Sequence, residues 1–137
     1  MKVVLDTNVL ASALIKPGKP RELLSEIVEG GVQLVLSRSI LEELLEVAYD
    51  SRMRRYVDEN DVISFMKAIG SVAKIVRVKS RFKVVKGDPD DDVILRTAYD
   101  CRADYIVSGD KHLLSLGEFK GARIVTVNEM LKSLKHR

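Results

Sequence analysis

The sequence predicts a three-layer α/β/α sandwich around a mainly parallel central sheet, with residues 1–137 forming one domain. Three observations predict this class. Short, almost wholly apolar runs such as Val3-Val4-Leu5 and Tyr105-Ile106-Val107 have the pattern of strands buried on both faces. These runs alternate with segments of helical period, the order expected of βα units. The composition is 46% hydrophobic and 31% charged, which supports a packed core under a solvated surface. A chain of this length can bury roughly two-thirds of its unfolded surface.

Taken in order, residues 2–5 form the first strand. A helix through Val9, Leu10, Ala13 and Leu14 follows, and Lys16-Pro17-Gly18-Lys19-Pro20 breaks it. A second helix over 21–29 aligns Leu23, Leu24, Ile27 and Val28 and stops at Gly30-Gly31. Residues 32–36 form a second buried strand. Ser37 or Ser39 then caps a helix carrying Ile40, Leu41, Leu44, Leu45 and Ala48 on one face. Residues 50–58 are a charged connection with room for one helical turn. Asp58 or Asn60 starts another amphipathic helix, with Val62, Ile63, Phe65, Met66 and Ile69 apolar, ending near Gly70. A third strand is expected over 75–78, followed by a basic stretch over 80–87 that is irregular or a short edge strand through Phe82, Val84 and Val85. The acidic run Asp88-Pro89-Asp90-Asp91-Asp92 opens a helix over 93–102. A strand at 105–107, a turn or short helix at 111–116, a last strand at 123–127 and a helix over 129–135 capped by Asn128 complete the chain. Helices outnumber strands in the middle, so two are expected to project as a hairpin between residues 37 and 73.

Composition narrows the chemistry. The single cysteine, Cys101, excludes an internal disulfide and a multi-cysteine zinc site, and its helical setting favours a structural thiol. No apolar stretch approaches the ~20 residues needed to span a bilayer. The first apolar run meets Asp6 too soon for a signal peptide, so no membrane association and a cytoplasmic location are expected. Twenty acids against 23 lysines and arginines leave a formal charge of +3. If several acids converge at one site, the remaining surface is basic enough to suit a polyanion. No Gly-rich phosphate loop is present.

The acids are placed suggestively. Asp6 ends the first strand, Asp110 follows the strand at 105–107, Asp91 and Asp92 open a helix, and Glu43 rides on the helix after the second strand. Each has a bland reading: Asp6 and Asp91 as helix caps, Asp110 as a turn residue, and Glu43 as one exposed helical acid beside Glu42 and Glu46. In parallel α/β sheets, however, ligands bind outside the carboxyl ends of the strands. Carboxylates gathered there repel one another, and a hard divalent cation held by oxygen ligands is the usual remedy.

These residues carry a family resemblance. Val3-Val4-Leu5-Asp6-Thr7-Asn8-Val9-Leu10 resembles the opening strand of PIN domains, and Ser39-Ile40-Leu41-Glu42-Glu43-Leu44 resembles their second acidic motif. Asp88-Pro89-Asp90-Asp91-Asp92-Val93-Ile94-Leu95 and Ala103-Asp104-Tyr105-Ile106-Val107-Ser108-Gly109-Asp110 resemble the third and fourth. The resemblance covers essentially the whole chain and is greatest to the bacterial and archaeal branch of VapC-type toxins. It implies an endoribonuclease dependent on Mg²⁺ or Mn²⁺, restrained by an antitoxin protein and forming a homodimer. By position, Asp6, Glu43, Asp91 and Asp110 would be the catalytic acids. Asp92 would be a further metal ligand or the alternative to Asp91, and Glu42 the alternative to Glu43. Thr7, Asn8 and Ser108 would be polar supports.

The residue types suit that chemistry. Mg²⁺ needs only one or two direct carboxylates besides waters and substrate phosphate, and such catalysis requires no histidine base. His112 reads as a surface-turn residue and His136 lies near the end of the chain. Lys111 is a candidate for holding phosphate. Two clusters combine cations with an aromatic ring that could stack on a base: Arg52, Arg54 and Arg55 with Tyr56, and Lys79, Arg81, Lys83 and Lys86 with Phe82. Tyr56, Ile63, Phe65 and Met66 are expected to form an exposed apolar patch for a dimer, or else to pack in the monomer. The alternative function is a catalytically inactive PIN-like module that binds RNA or protein.

Overall fold

Val3, Val4 and Leu5 are almost wholly withdrawn from solvent, and β1 (Lys2–Leu5) accordingly lies at the centre of the sheet. The computed structural model describes residues 1–83 and 89–136, with the side chains of Pro89 and Asp90 left aside. The other strands are β2 (Gln33–Ser37), β3 (Lys74–Val76), β4 (Tyr105–Val107), β5 (Glu118–Phe119) and β6 (Ala122–Val125). Their order is β3-β2-β1-β4-β6-β5, and every pairing is parallel except β5 with β6. Seven helices are described: α1 (Thr7–Ile15), α2 (Lys19–Glu29), α3 (Arg38–Ala48), α4 (Glu59–Val72), α5 (Pro89–Cys101), α6 (Lys111–Leu116) and α7 (Val127–Lys135). The α/β/α sandwich with a mainly parallel sheet is therefore the architecture.

The core follows from the strand pattern. Val3 to Leu5 of β1, Leu34 to Leu36 of β2 and Ile106 and Val107 of β4 are buried on both faces. Leu10, Leu23 and Ile27 from α1 and α2, Ile40 and Leu44 from α3, and Ile94, Leu95 and Ala98 from α5 pack against them. No helix among the described residues is long and apolar enough to cross a membrane.

The middle of the chain differs from expectation. Rather than projecting as a hairpin, α3 and α4 bury residues along their length. Ala48, Val57 and Val62 close a second small cluster with Leu14 of α1, while Ile69 joins the main core. A capping box between Asp58 and Asp61 starts α4, and the helix runs through Gly70 because its packing outweighs the ~1 kcal/mol helix penalty of one glycine. A 3₁₀ turn, Ser51–Arg55, occupies the charged connection. Of the expected apolar patch, Tyr56 and Ile63 are 63% and 41% exposed, whereas Phe65 and Met66 pack against both clusters. Half of the expected patch thus packs within the monomer, and what stays exposed gives no argument for a dimer.

The end of the chain also departs in detail. Residues 118–125 form a hairpin with the two-residue loop Lys120-Gly121, both at positive φ. That is the backbone of the tight turn matching strand twist. The helix after β6 is capped by Thr126, not Asn128: Thr126 Oγ1 accepts from Glu129 N, and Glu129 Oε1 accepts from Thr126 N, both at 3.1 Å. Thr-x-x-Glu is the reciprocal capping signature, and it shortens the preceding strand to Ala122–Val125.

Candidate active site

The strand order places a topological switch beside β1. From β1 the chain crosses to β2 on one side, whereas β4 pairs with β1 on the other and leads on to β6. Crossovers leaving in opposite directions open a crevice at the carboxyl ends of the two strands, which is where ligands bind in doubly wound sheets. Asp6 and Asp110 follow those two strands.

One hydroxyl links them. Ser108 Oγ donates to Asp6 Oδ2 at 2.7 Å, across 102 residues of sequence, and accepts from Asp110 N at 3.0 Å. Backbone bonds extend the ladder underneath, with Asp6 N donating to Val107 O and Ser108 N to Val125 O, each at 3.0 Å. The capping reading holds for Asp6, whereas Asp110, expected as a turn residue, is a cap and Asp91, expected as a cap, lies inside α5. Asp6 Oδ1 accepts from Asn8 N at the start of α1, and Asp110 Oδ1 accepts from His112 N and Leu113 N at the start of α6. Capping orients each carboxylate through its Oδ1, and Ser108 holds Asp6 Oδ2 as well, so the bland and functional roles coexist.

Asp6 is 7% exposed. Burial pushes its carboxyl above the usual range, and the negative charge of Asp110 adds to the rise. The Ser108 hydroxyl and the Asn8 and Thr7 amides oppose this without cancelling it. A carboxylate in that position gains from a cation more than an exposed one would. Beside it, Thr7 Oγ1 is buried and has no hydrogen-bond partner among the described residues.

Glu43 and the acids of α5 start from the same edge. α3 leaves the carboxyl end of β2, and α5 runs back to feed the parallel strand β4, so both helices begin on the Asp6 side of the sheet. Ser37 ties them together. Its Oγ accepts from Ile40 N at 3.3 Å, capping α3, and from Thr97 Oγ1 of α5 at 2.9 Å, in a buried contact. Glu42 is exposed and paired with Arg38 at 3.1 Å, whereas Glu43 is half-buried on the inner side of α3. Asp91 and Asp92, at 5% and 3% exposure, are equally withdrawn, so burial does not choose between them. Among the described residues no three His, Cys, Asp or Glu side chains stand close enough to enclose an ion. The structure thus joins Asp6 with Asp110 and places Glu43, Asp91 and Asp92 on helices starting at the same edge, without gathering them into one ligand cluster.

Thr97 is the residue that sequence reasoning passed over. Its signal was a β-branched hydroxyl between Leu95 and Ala98 on the inward face of a helix, where an apolar side chain is the norm. Its Oγ1 also lies 2.8 Å from Val93 O. Thr97→Val keeps the shape but removes the link to Ser37. It is expected to destabilise the protein by about 1 kcal/mol, a fall of about 4 °C in the thermal midpoint. A midpoint unchanged in differential scanning calorimetry would show that the link between α3 and α5 contributes nothing.

The outlying candidates divide. Phe82, expected to stack on a base, is half-buried and packs against Tyr99 and Phe119, with ring centroids 5.5 and 5.3 Å away. Lys86 lies outside the described residues. Tyr56 remains exposed beside Arg54 and Arg55. Cys101 is buried, its thiol pushed up by that burial, in keeping with a structural role. Lys111 and His112 are exposed next to Asp110.

Residues 2–112 match the PIN domain family. The chain belongs to the PIN-domain family. The matched stretch contains Asp6, Glu43, Asp91, Asp92 and Asp110. An uncharacterized protein of Methanocaldococcus jannaschii is 38% identical over 118 residues, which are 85% of this chain and 75% of that protein. Solved structures with a similar fold include VapBC2 from Rickettsia felis bound to a DNA fragment from its promoter and PAE2754 from Pyrobaculum aerophilum. The first has a TM-score of 0.64 at 15% identity, covering 92% of this chain and 98% of that one. The second has a TM-score of 0.68 at 15% identity, covering 100% and 91%. At that identity the likeness is one of fold, and it extends the PIN architecture through α7.

Proposed function

We propose that this PIN domain is a metal-dependent endoribonuclease, the toxin of a toxin–antitoxin pair, hydrolysing RNA phosphodiester bonds at the edge that carries Asp6 and Asp110. The observation that carries the reading is the Ser108 hydroxyl bonded to both acidic residues at the topological switch. PIN domains are in general nucleases, and the placement of the acids suits that chemistry.

The donor set fits Mg²⁺ or Mn²⁺: the candidate ligands are all oxygens, and the Asp6 carboxylate is held where its own charge is disfavoured. Asp6 and Asp110 would be the first ligands, with Glu43, Asp91 and Asp92 contributing directly or through water. An incomplete protein ligand set is compatible with Mg²⁺, which keeps several waters and takes oxygens from substrate phosphate. A bound divalent cation would supply a more acidic water and neutralise charge developing on the scissile phosphate. Ser108 orients the Asp6 carboxylate by donating to one of its oxygens. Lys111, exposed next to Asp110, would meet the substrate backbone as a point charge.

The test is cleavage of single-stranded RNA with Mn²⁺ or Mg²⁺, read on a gel. Endonucleolytic products that vanish in excess EDTA are expected, and full activity in EDTA would sink the proposal. The restraining partner would be a small protein offering a cation to the same acidic edge. A candidate antitoxin that leaves cleavage unchanged at equimolar concentration would be rejected as that partner.

A further inference from the structure

Asn8, Ser108 and Gly109, which surround the Asp6–Asp110 link, also line an open cleft of about 310 Å³. That is near the lower end of ligand clefts, with room for one nucleotide unit rather than a duplex step. Val9, Pro20 and Val127 are its apolar lining, and Asn8, Asn128 and Lys19 line it too. Asn8, Lys19 and Asn128 are exposed. Their side chains make no hydrogen bond or ion pair with other described residues.

We infer that this cleft receives the base of the nucleotide next to the scissile phosphate and sets the base preference of the cut. The inference rests on the ribonuclease reading for the position of that phosphate. The chemistry of the cleft is that of a base site. Val9, Pro20 and Val127 give the cleft apolar lining against which a ring can lie. The amides of Asn8 and Asn128 each offer a donor and an acceptor, the groups that read a base edge in unpaired RNA. Lys19 supplies a cation for the adjoining phosphate, a contact that positions the strand without reading its sequence. A duplex would not present an unstacked base to such a cleft, so the substrate class is single-stranded or loop RNA.

Ser12 offers a way to close the cleft from inside. It lines the cavity from the middle of α1, half-buried, and leucine is a better helix former there than serine. Asn128 offers a second change, since it is exposed and does not cap α7. The probes are fluorescein-labelled hexamers of U, A, C and G, bound in EDTA to an Asp6→Asn background that does not cut them. Ser12→Leu in that background is expected to weaken the best-bound hexamer about tenfold, the scale of losing one held base. Asn128→Ala is expected to bring the four affinities within about twofold of one another at an unchanged thermal midpoint.

Affinities and preferences unmoved by both changes would overturn the inference, as would the absence of measurable binding to all four hexamers. Wild-type cleavage with Mn²⁺ separates this result from the function itself. Cleavage with no effect of either change removes the base site alone. Base-selective binding that both changes abolish, in a protein that never cuts RNA, removes the nuclease and leaves the site.

Discussion

Asp6→Asn is expected to slow RNA cleavage by at least about a hundredfold while making the metal-free protein more stable at neutral pH. Even residues that only support a metal ligand commonly cost 10–100-fold when removed, and Asp6 is proposed as a ligand itself. The stability gain comes from the opposite side of the same design. Burial and the charge of Asp110 raise the Asp6 carboxyl above its ordinary value, so the folded chain binds that proton more tightly than the unfolded chain. Below the unfolded value of about 4, both states are protonated and the native residue carries no penalty. As pH rises through the higher folded value, that contribution is lost from the native protein and not from the asparagine variant. The two melting curves should therefore coincide near pH 3.5 and separate at neutral pH. A difference of about 2–4 °C corresponds to ~1 kcal/mol in a domain of this size. Asparagine remains a good cap for α1, so local structure is retained. An Asn variant that melts below the native protein at pH 7 in EDTA would contradict the account, and undiminished cleavage would remove Asp6 from the machinery.

The second large effect is the response to divalent cations. A ligand that binds only the folded state at a hundred times its dissociation constant stabilises by about 2.7 kcal/mol. Saturating Mn²⁺ should accordingly raise the melting midpoint of the native protein by several degrees, and EDTA should return it. Asp6→Asn should lose most of that response, because it removes a buried carboxylate proposed as a ligand. Equal Mn²⁺ shifts in both proteins would place the cation elsewhere. No shift in the native protein would favour a PIN-like module that binds without catalysing.

Much of the strand and helix plan was legible because its signals are local. Val3-Val4-Leu5 is too apolar for anything but a buried segment, and Asp6 directly after it can cap a helix and face the edge at once. Ser37 as a cap, Asp58 as a cap and the break at Lys16-Pro17-Gly18 are likewise short-range chemistry. One local signal nonetheless points to the wrong residue, and another is silent. The Thr126-to-Glu129 capping pair was passed over for Asn128, and the Lys120-Gly121 turn lacks the Asn-Gly form that usually announces a hairpin. Phe82 beside lysines and arginine looked like a stacking platform, yet its ring is taken up by Tyr99 and Phe119.

By itself, the sequence determined which acids stand at strand ends and helix starts, since capping and burial act within a few residues. It also carried the resemblance to PIN domains that the family match over residues 2–112 bears out. Only the tertiary structure decided which of these groups meet. The switch between β1 and β4 exists only once strand order is known, and Ser108 bridges Asp6 and Asp110 only because those strands are neighbours. Thr97 reaches Ser37 across 60 residues, and Glu42 turns outward to Arg38 while Glu43 stays half-buried. These are consequences of which surfaces pack together, a long-range property that neither periodicity nor local hydrogen bonding encodes.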